Sequence, residues 1–192
     1  MLLILVGRIA QIALTLAITK FATTLLTPSE FGRTALIAAT ISLFSLLLVN
    51  PVGMFINRRL HAWAEAGSLM PHLRIFGIYL AGVSALAALG VLVGQMLGVF
   101  DFGTGSGWLV GLVCGSLIAT TLNQTYIPAL NMLGRRKEFV VFSVLTLALN
   151  LGLSVAFVTM SDASAELWML GTFVSQAVFA CLGGIALARD AP

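Results

Sequence analysis

The stretch Ile75–Leu97, IFGIYLAGVSALAALGVLVGQML, runs 23 residues without a charged side chain. As an α-helix it would be about 34 Å long, slightly more than the roughly 30 Å of hydrocarbon in a bilayer. Five further stretches read the same way: Leu2–Leu26, Thr34–Ile56, Trp108–Leu133, Phe139–Met160 and Leu167–Ala188. Membrane-spanning strands would alternate in polarity over about 9–11 residues, and no segment does. The expected fold is an all-α integral membrane protein, with six transmembrane helices bundled into a single domain over residues 1–192.

Composition leads to the same place. The 192 residues are 59% apolar and only 9% charged, and the mean hydropathy is +1.07. A soluble domain carries about 25% charged residues, and a globule of this size buries only about 70% of its unfolded surface. A soluble enzyme is therefore excluded. Disorder, which needs low hydrophobicity and high charge, is excluded as well. The first apolar run is longer than the 7–15 residues of a signal-peptide core and lacks a cleavage site after it, so it reads as a retained span.

The net charge of +3 does not gather on one face, which argues against a nucleic-acid partner. Instead Arg58, Arg59, Arg74, Arg135, Arg136, Lys137 and Arg189 fall in alternate breaks between spans, with only Arg33 in the opposite ones. Lys and Arg mark the cytoplasmic side, so both termini are expected there. Asp101, Asp162 and Glu166 read as outer-loop acids without a basic neighbour. Cys114 and Cys181 lie in apolar runs and read as small buried hydrophobes. His61 and His72 sit in the basic second loop without a third ligand. No metal, cofactor or catalytic set is expected, so the chain does not read as an enzyme.

Polar groups inside spans are costly in lipid and therefore informative. Arg8, Gln11, Thr15, Thr19 and Thr23 follow helical spacing down one face of the first span, with Lys20 outside that arc. Arg8 and Lys20 either snorkel to opposite headgroup layers or border a water-filled cavity; the Gln and Thr run between them is what snorkelling leaves unexplained. Span two carries Asn50-Pro51, where proline kinks a helix. Span four carries Thr120, Asn123, Gln124 and Asn131 near Pro128, on a face that either bonds to the first span or shares a cavity with it. Asn150 and Gln176 read as interhelical bonds. Gly90, Gly94 and Gly98, and Gly107, Gly111 and Gly115, recur every fourth residue as close-packing stripes. All seven acids lie in loops or at span ends, so no embedded carboxylate is available for ion coupling, and the embedded cations suit an anionic ligand.

The segment Leu26-Thr27-Pro28-Ser29-Glu30-Phe31-Gly32-Arg33, then a long span, then Gly53 and Arg58-Arg59, resembles the opening of bacterial polysaccharide flippases. These belong to the multidrug/oligosaccharidyl-lipid/polysaccharide exporter superfamily. The turn Gly134-Arg135-Arg136-Lys137-Glu138-Phe139 is similar to the basic turn between their fourth and fifth spans. Locally, Pro28 stops one helix and Ser29 is placed to cap the next. The resemblance implies the amino-terminal six-span lobe of a two-lobe transporter, located in the bacterial cytoplasmic membrane. That lobe would flip a polyprenyl-pyrophosphate-linked oligosaccharide for cell-surface polysaccharide such as O-antigen, with a second six-span lobe or another copy as partner. In that family basic residues of spans one and two meet the pyrophosphate; the matching positions are Arg8, Lys20, Arg33 and Arg58. With the polar face added, the expected substrate-binding set is Arg8, Gln11, Thr15, Lys20, Arg33, Arg58, Asn123 and Gln124. The alternatives are a multidrug exporter of the same superfamily and a non-transporting membrane scaffold.

Overall fold

A computed structural model describes residues 2–98, 106–161 and 163–189. Among them every regular element is helical. The helices are α1 (Leu2–Leu25), α2 (Pro28–Phe44), α3 (Asn50–Glu65), α4 (Leu69–Met96), α5 (Ser106–Met132), α6 (Arg136–Met160) and α7 (Ala165–Ala188), with a π-helical turn over Ser45–Val49. Five helical stretches are long and apolar enough to cross a membrane, α2 to α3 counting as one of 38 residues. The other long helix, α5, has 27 residues and no charged one. The expected spans overlap these helices throughout. Asp101 and Asp162 lie outside the described residues.

Large apolar side chains face outward along the outer helices: Ile12 is 62% exposed, Leu47 63% and Ile78 69%. Such surface would drive aggregation in water, whereas hydrocarbon solvates it. The core lies where α7 packs between α5 and α6, with α4 against α5 and α1 against α6. Leu80, Leu109, Leu117, Leu130 and Leu187 are fully enclosed there. α1 and α2 barely touch although they are consecutive.

Several local expectations are corrected. Thr27, not Ser29, caps α2: its side chain accepts from the Glu30 backbone N–H at 3.3 Å. Pro28 takes the first helical position, where its missing N–H costs nothing, so the residue before it becomes the cap. The second basic loop is mostly helix. Arg58, Arg59 and His61 lie in α3, and His72 and Arg74 lie in α4. The reversal is confined to Ala66–Ser68, with Gly67 at φ +65°. The helix continues because Leu60 and Trp63 keep an apolar side against α4 while the basic residues stay exposed.

At Asn50-Pro51 the disturbance takes the form of a π turn. Pro51 has no N–H to donate, and the Asn50 N–H reaches back to the Ser45 carbonyl, one residue further than in an α-helix. Tyr79 of α4 donates its hydroxyl to the Leu48 carbonyl at 2.6 Å, satisfying a group inside this turn. The glycine stripes are only partly packing devices. A methyl on Gly115 would meet the Phe173 ring at 2.9 Å, while Gly107 and Gly111 face open space. Two approaches are tighter still: a Cβ on Gly7 would stand 2.5 Å from the Val140 side chain, and one on Gly171 2.5 Å from the Ser154 backbone nitrogen.

Candidate functional site

Two ends of the bundle are clamped by ion pairs. At one, Arg33 of α2 donates to Glu30 at 2.8 Å and to Glu166 of α7 at 2.7 Å. Glu30 in turn accepts from the Ala165 backbone N–H at 2.7 Å, closing the start of α7. Glu166 is 5% exposed, and Arg33 is its basic neighbour, correcting the expectation that it had none. At the other end Arg135 is paired with Glu138 and donates to the Ala186 carbonyl near the end of α7.

Between the clamps lies a cleft of about 340 Å³ with both polar and apolar walls. Arg8 and Gln11 enter it from α1, Asn123, Gln124 and Asn131 from α5, Ser143 and Thr146 from α6, and Gln176 from α7. The α5 residues converge because Asn123 and Gln124 precede Asn131 by about two helical turns. Pro128 lines the cleft without ending the helix. Phe139 forms part of the wall, and the Arg8 guanidinium lies 5.8 Å from its ring centroid. Arg8 also donates to the side-chain Oε1 of Gln11 at 3.3 Å. Among the described residues no carboxylate pairs with Arg8, and it is the single charged group lining the cleft.

Every other polar lining group is an amide or a hydroxyl. Asn123 donates to the Gln176 backbone carbonyl at 3.4 Å. The Gln176 Oε1 is buried with no hydrogen-bond partner among the described residues. Buried acceptors are nearly always satisfied, so this oxygen calls for a donor from the cleft. One cation surrounded by amides can bind an anion and also exchange hydrogen bonds with hydroxyls. The cleft offers neither carboxylate nor imidazole for proton transfer.

A second cavity of about 250 Å³ adjoins it. Asn50, Gly53 and Asn57 line it from α3, and Thr121, Gln124 and Thr125 from α5. Gln124 therefore borders both, and the first cleft is shared by Arg8 and Gln11 of α1 with the polar residues of α5.

Of the expected site residues, Arg8, Gln11, Asn123 and Gln124 are brought together. Thr15 is one turn further along α1, exposed, with its hydroxyl donated to the Gln11 carbonyl at 2.9 Å. Thr19 and Thr23 continue this ladder, bonding to the carbonyls of Thr15 and Thr19 at 3.0 and 3.1 Å. Lys20 is exposed near the far end of α1, Arg58 is exposed on α3, and Arg33 is held in the clamp. Ser143 and Thr146 are lining residues that sequence reasoning did not select, and Gln176, read as an interhelical bond, instead lines the cleft with its Oε1 unbonded among the described residues. Asn150 is an interhelical bond as expected, its Oδ1 accepting from Ser154 and Thr172 at 3.0 Å each. Comparison with known proteins finds no matching family, no similar curated protein and no similar solved structure.

Proposed function

We propose that this chain is a six-span lobe of a bacterial cytoplasmic-membrane flippase, with both termini in the cytoplasm, that moves polyprenyl-pyrophosphate-linked oligosaccharide for surface polysaccharide synthesis. The observation that carries this reading is Arg8, a cation without a carboxylate partner among the described residues, in a cleft whose other polar lining groups are all amides and hydroxyls. Six residues separate it from Leu2, about 9 Å along the helix, a depth suited to the phosphate of a lipid in the cytoplasmic leaflet. Amides beyond it suit glycan hydroxyls. A proton- or sodium-coupled multidrug exporter would want a carboxylate here, and a scaffold has no use for a polar cleft. The exposed α1 face leaves this cleft walled on one side, and a second six-span unit, covalent or another copy, supplies the opposing wall.

The test is complementation of surface-polysaccharide export with both lobes present. A guanidinium grips phosphate through a planar fork that lysine lacks. Arg8→Lys is therefore expected to fail as Arg8→Ala does, at unchanged membrane abundance. Full activity of Arg8→Lys, with Arg8→Ala merely less abundant, would make Arg8 a headgroup anchor and sink the proposal.

A further inference from the structure

A different site opens between α3 and α4. It is a pocket of about 480 Å³, lined mainly by apolar groups including Val52, Phe55, Ile75 and Phe76. One wall is aromatic: Trp63 of α3 stacks on His72 of α4, ring centroids 4.1 Å apart and planes 8° from parallel. His72 is fixed by its Nδ1, which donates to the Ser68 carbonyl at 2.7 Å. Arg59 stands at the same pocket, 5.9 Å from the Phe55 ring centroid. No carboxylate pairs with it among the described residues.

Depth identifies the occupant. The helix through α2 and α3 is 38 residues long, about 57 Å, so it extends well past the hydrocarbon. About 20 residues from Thr34 it leaves the bilayer core near Met54. Arg59 lies five residues on, about 7 Å further, at the level of lipid headgroups. The apolar lining lies on the hydrocarbon side of it. Charge agrees, since residues 50–74 hold Arg58, Arg59 and Arg74 against the single acid Glu65. We infer that this pocket seats an anionic phospholipid of the cytoplasmic leaflet, one acyl chain against Ile75 and Phe76 and the headgroup phosphate on Arg59. The inference rests on the membrane reading above and is independent of what the Arg8 cleft binds.

Trp63 is the built-in reporter. The intact protein and a Trp108→Phe/Trp168→Phe variant are placed in vesicles of phosphatidylcholine and phosphatidylglycerol in fixed proportion. Only the lipid species that carries brominated acyl chains is changed. The Trp63 emission is expected to be quenched with about fivefold preference for the brominated phosphatidylglycerol, the equivalent of one cation near an anionic surface. Arg59→Gln is expected to abolish the preference. Trp168 is buried, so if the double variant does not fold, the difference between intact protein and Trp63→Phe gives the same quantity. Equal quenching by both lipids, or a preference that survives Arg59→Gln, overturns the lipid site alone. No quenching by either overturns the membrane placement with it.

Discussion

At Gly171, α6 and α7 meet backbone to backbone. A Cβ would lie 2.5 Å from both the nitrogen and the Oγ of Ser154. Ser154 cannot withdraw, since its hydroxyl is shared between Asn150 and the Trp168 carbonyl at 3.0 Å each. Gly171→Ala should therefore cost at least the 1–3 kcal/mol typical of overpacking, roughly, read as an earlier thermal transition in detergent. Gly111→Ala, with nothing within 4 Å, should not lower that transition, since alanine is the better helix former. The residue periodicity that marked Gly107 and Gly111 could not separate an open stripe from a packed one. Spacing assigns residues to one helix face without saying what that face meets.

Two element-scale devices hold α2 and α3 in place. The first is the α2–α7 clamp, in which Arg33 joins Glu30 and Glu166 at side-chain exposures of 23%, 20% and 7%. Removing one partner of a largely buried pair leaves an uncompensated charge. Arg33→Met should thus destabilise strongly, while Arg33→Met with Glu166→Gln should recover part of the loss. Thermal unfolding of the single and double variants measures this coupling, and strict additivity would show that the pair contributes nothing. The second device is the π turn, closed by the Tyr79 hydroxyl on the Leu48 carbonyl. Tyr79→Phe should cost about 1 kcal/mol, the usual net worth of such a bond. It should speed amide exchange over residues 45–52 and leave α6 unaffected. Pro51 announced a disturbance in the sequence, but the bond that closes it comes from Tyr79, 31 residues beyond Leu48.

For the whole molecule, the distribution of charge sets the proposed topology. Seven Lys and Arg fall in the breaks of one side, while Arg33, the one cation in the opposite breaks, is matched by two carboxylates. The positive-inside asymmetry is thereby sharpened. With Cys114 and Cys181 replaced by serine, thiols introduced at Asp101 or Ser164 should react with an impermeant reagent from outside. Thiols at Arg59 or Arg136 should not, and labelling at Arg136 would invert the orientation.

The amino-acid sequence was enough to establish an all-helical chain, the place of each long apolar helix, and the polar faces of α1 and α5. Length and hydropathy act within a single segment, so they can be read without knowing its neighbours. Tertiary structure alone decided that Arg8, Gln11, Asn123 and Gln124 share one cleft while Thr15, Lys20 and Arg58 stay outside it. It alone paired Arg33 with Glu166 across 133 residues, and it alone opened the aromatic pocket beside Arg59. For helices apolar enough to cross a membrane, hydrocarbon would supply no hydrophobic drive to select one apolar face over another. Which helices meet, and at what rotation, follows from close contacts such as Gly171 on Ser154 and from a few buried hydrogen bonds. Those depend on pairs of distant residues, and no local pattern encodes them.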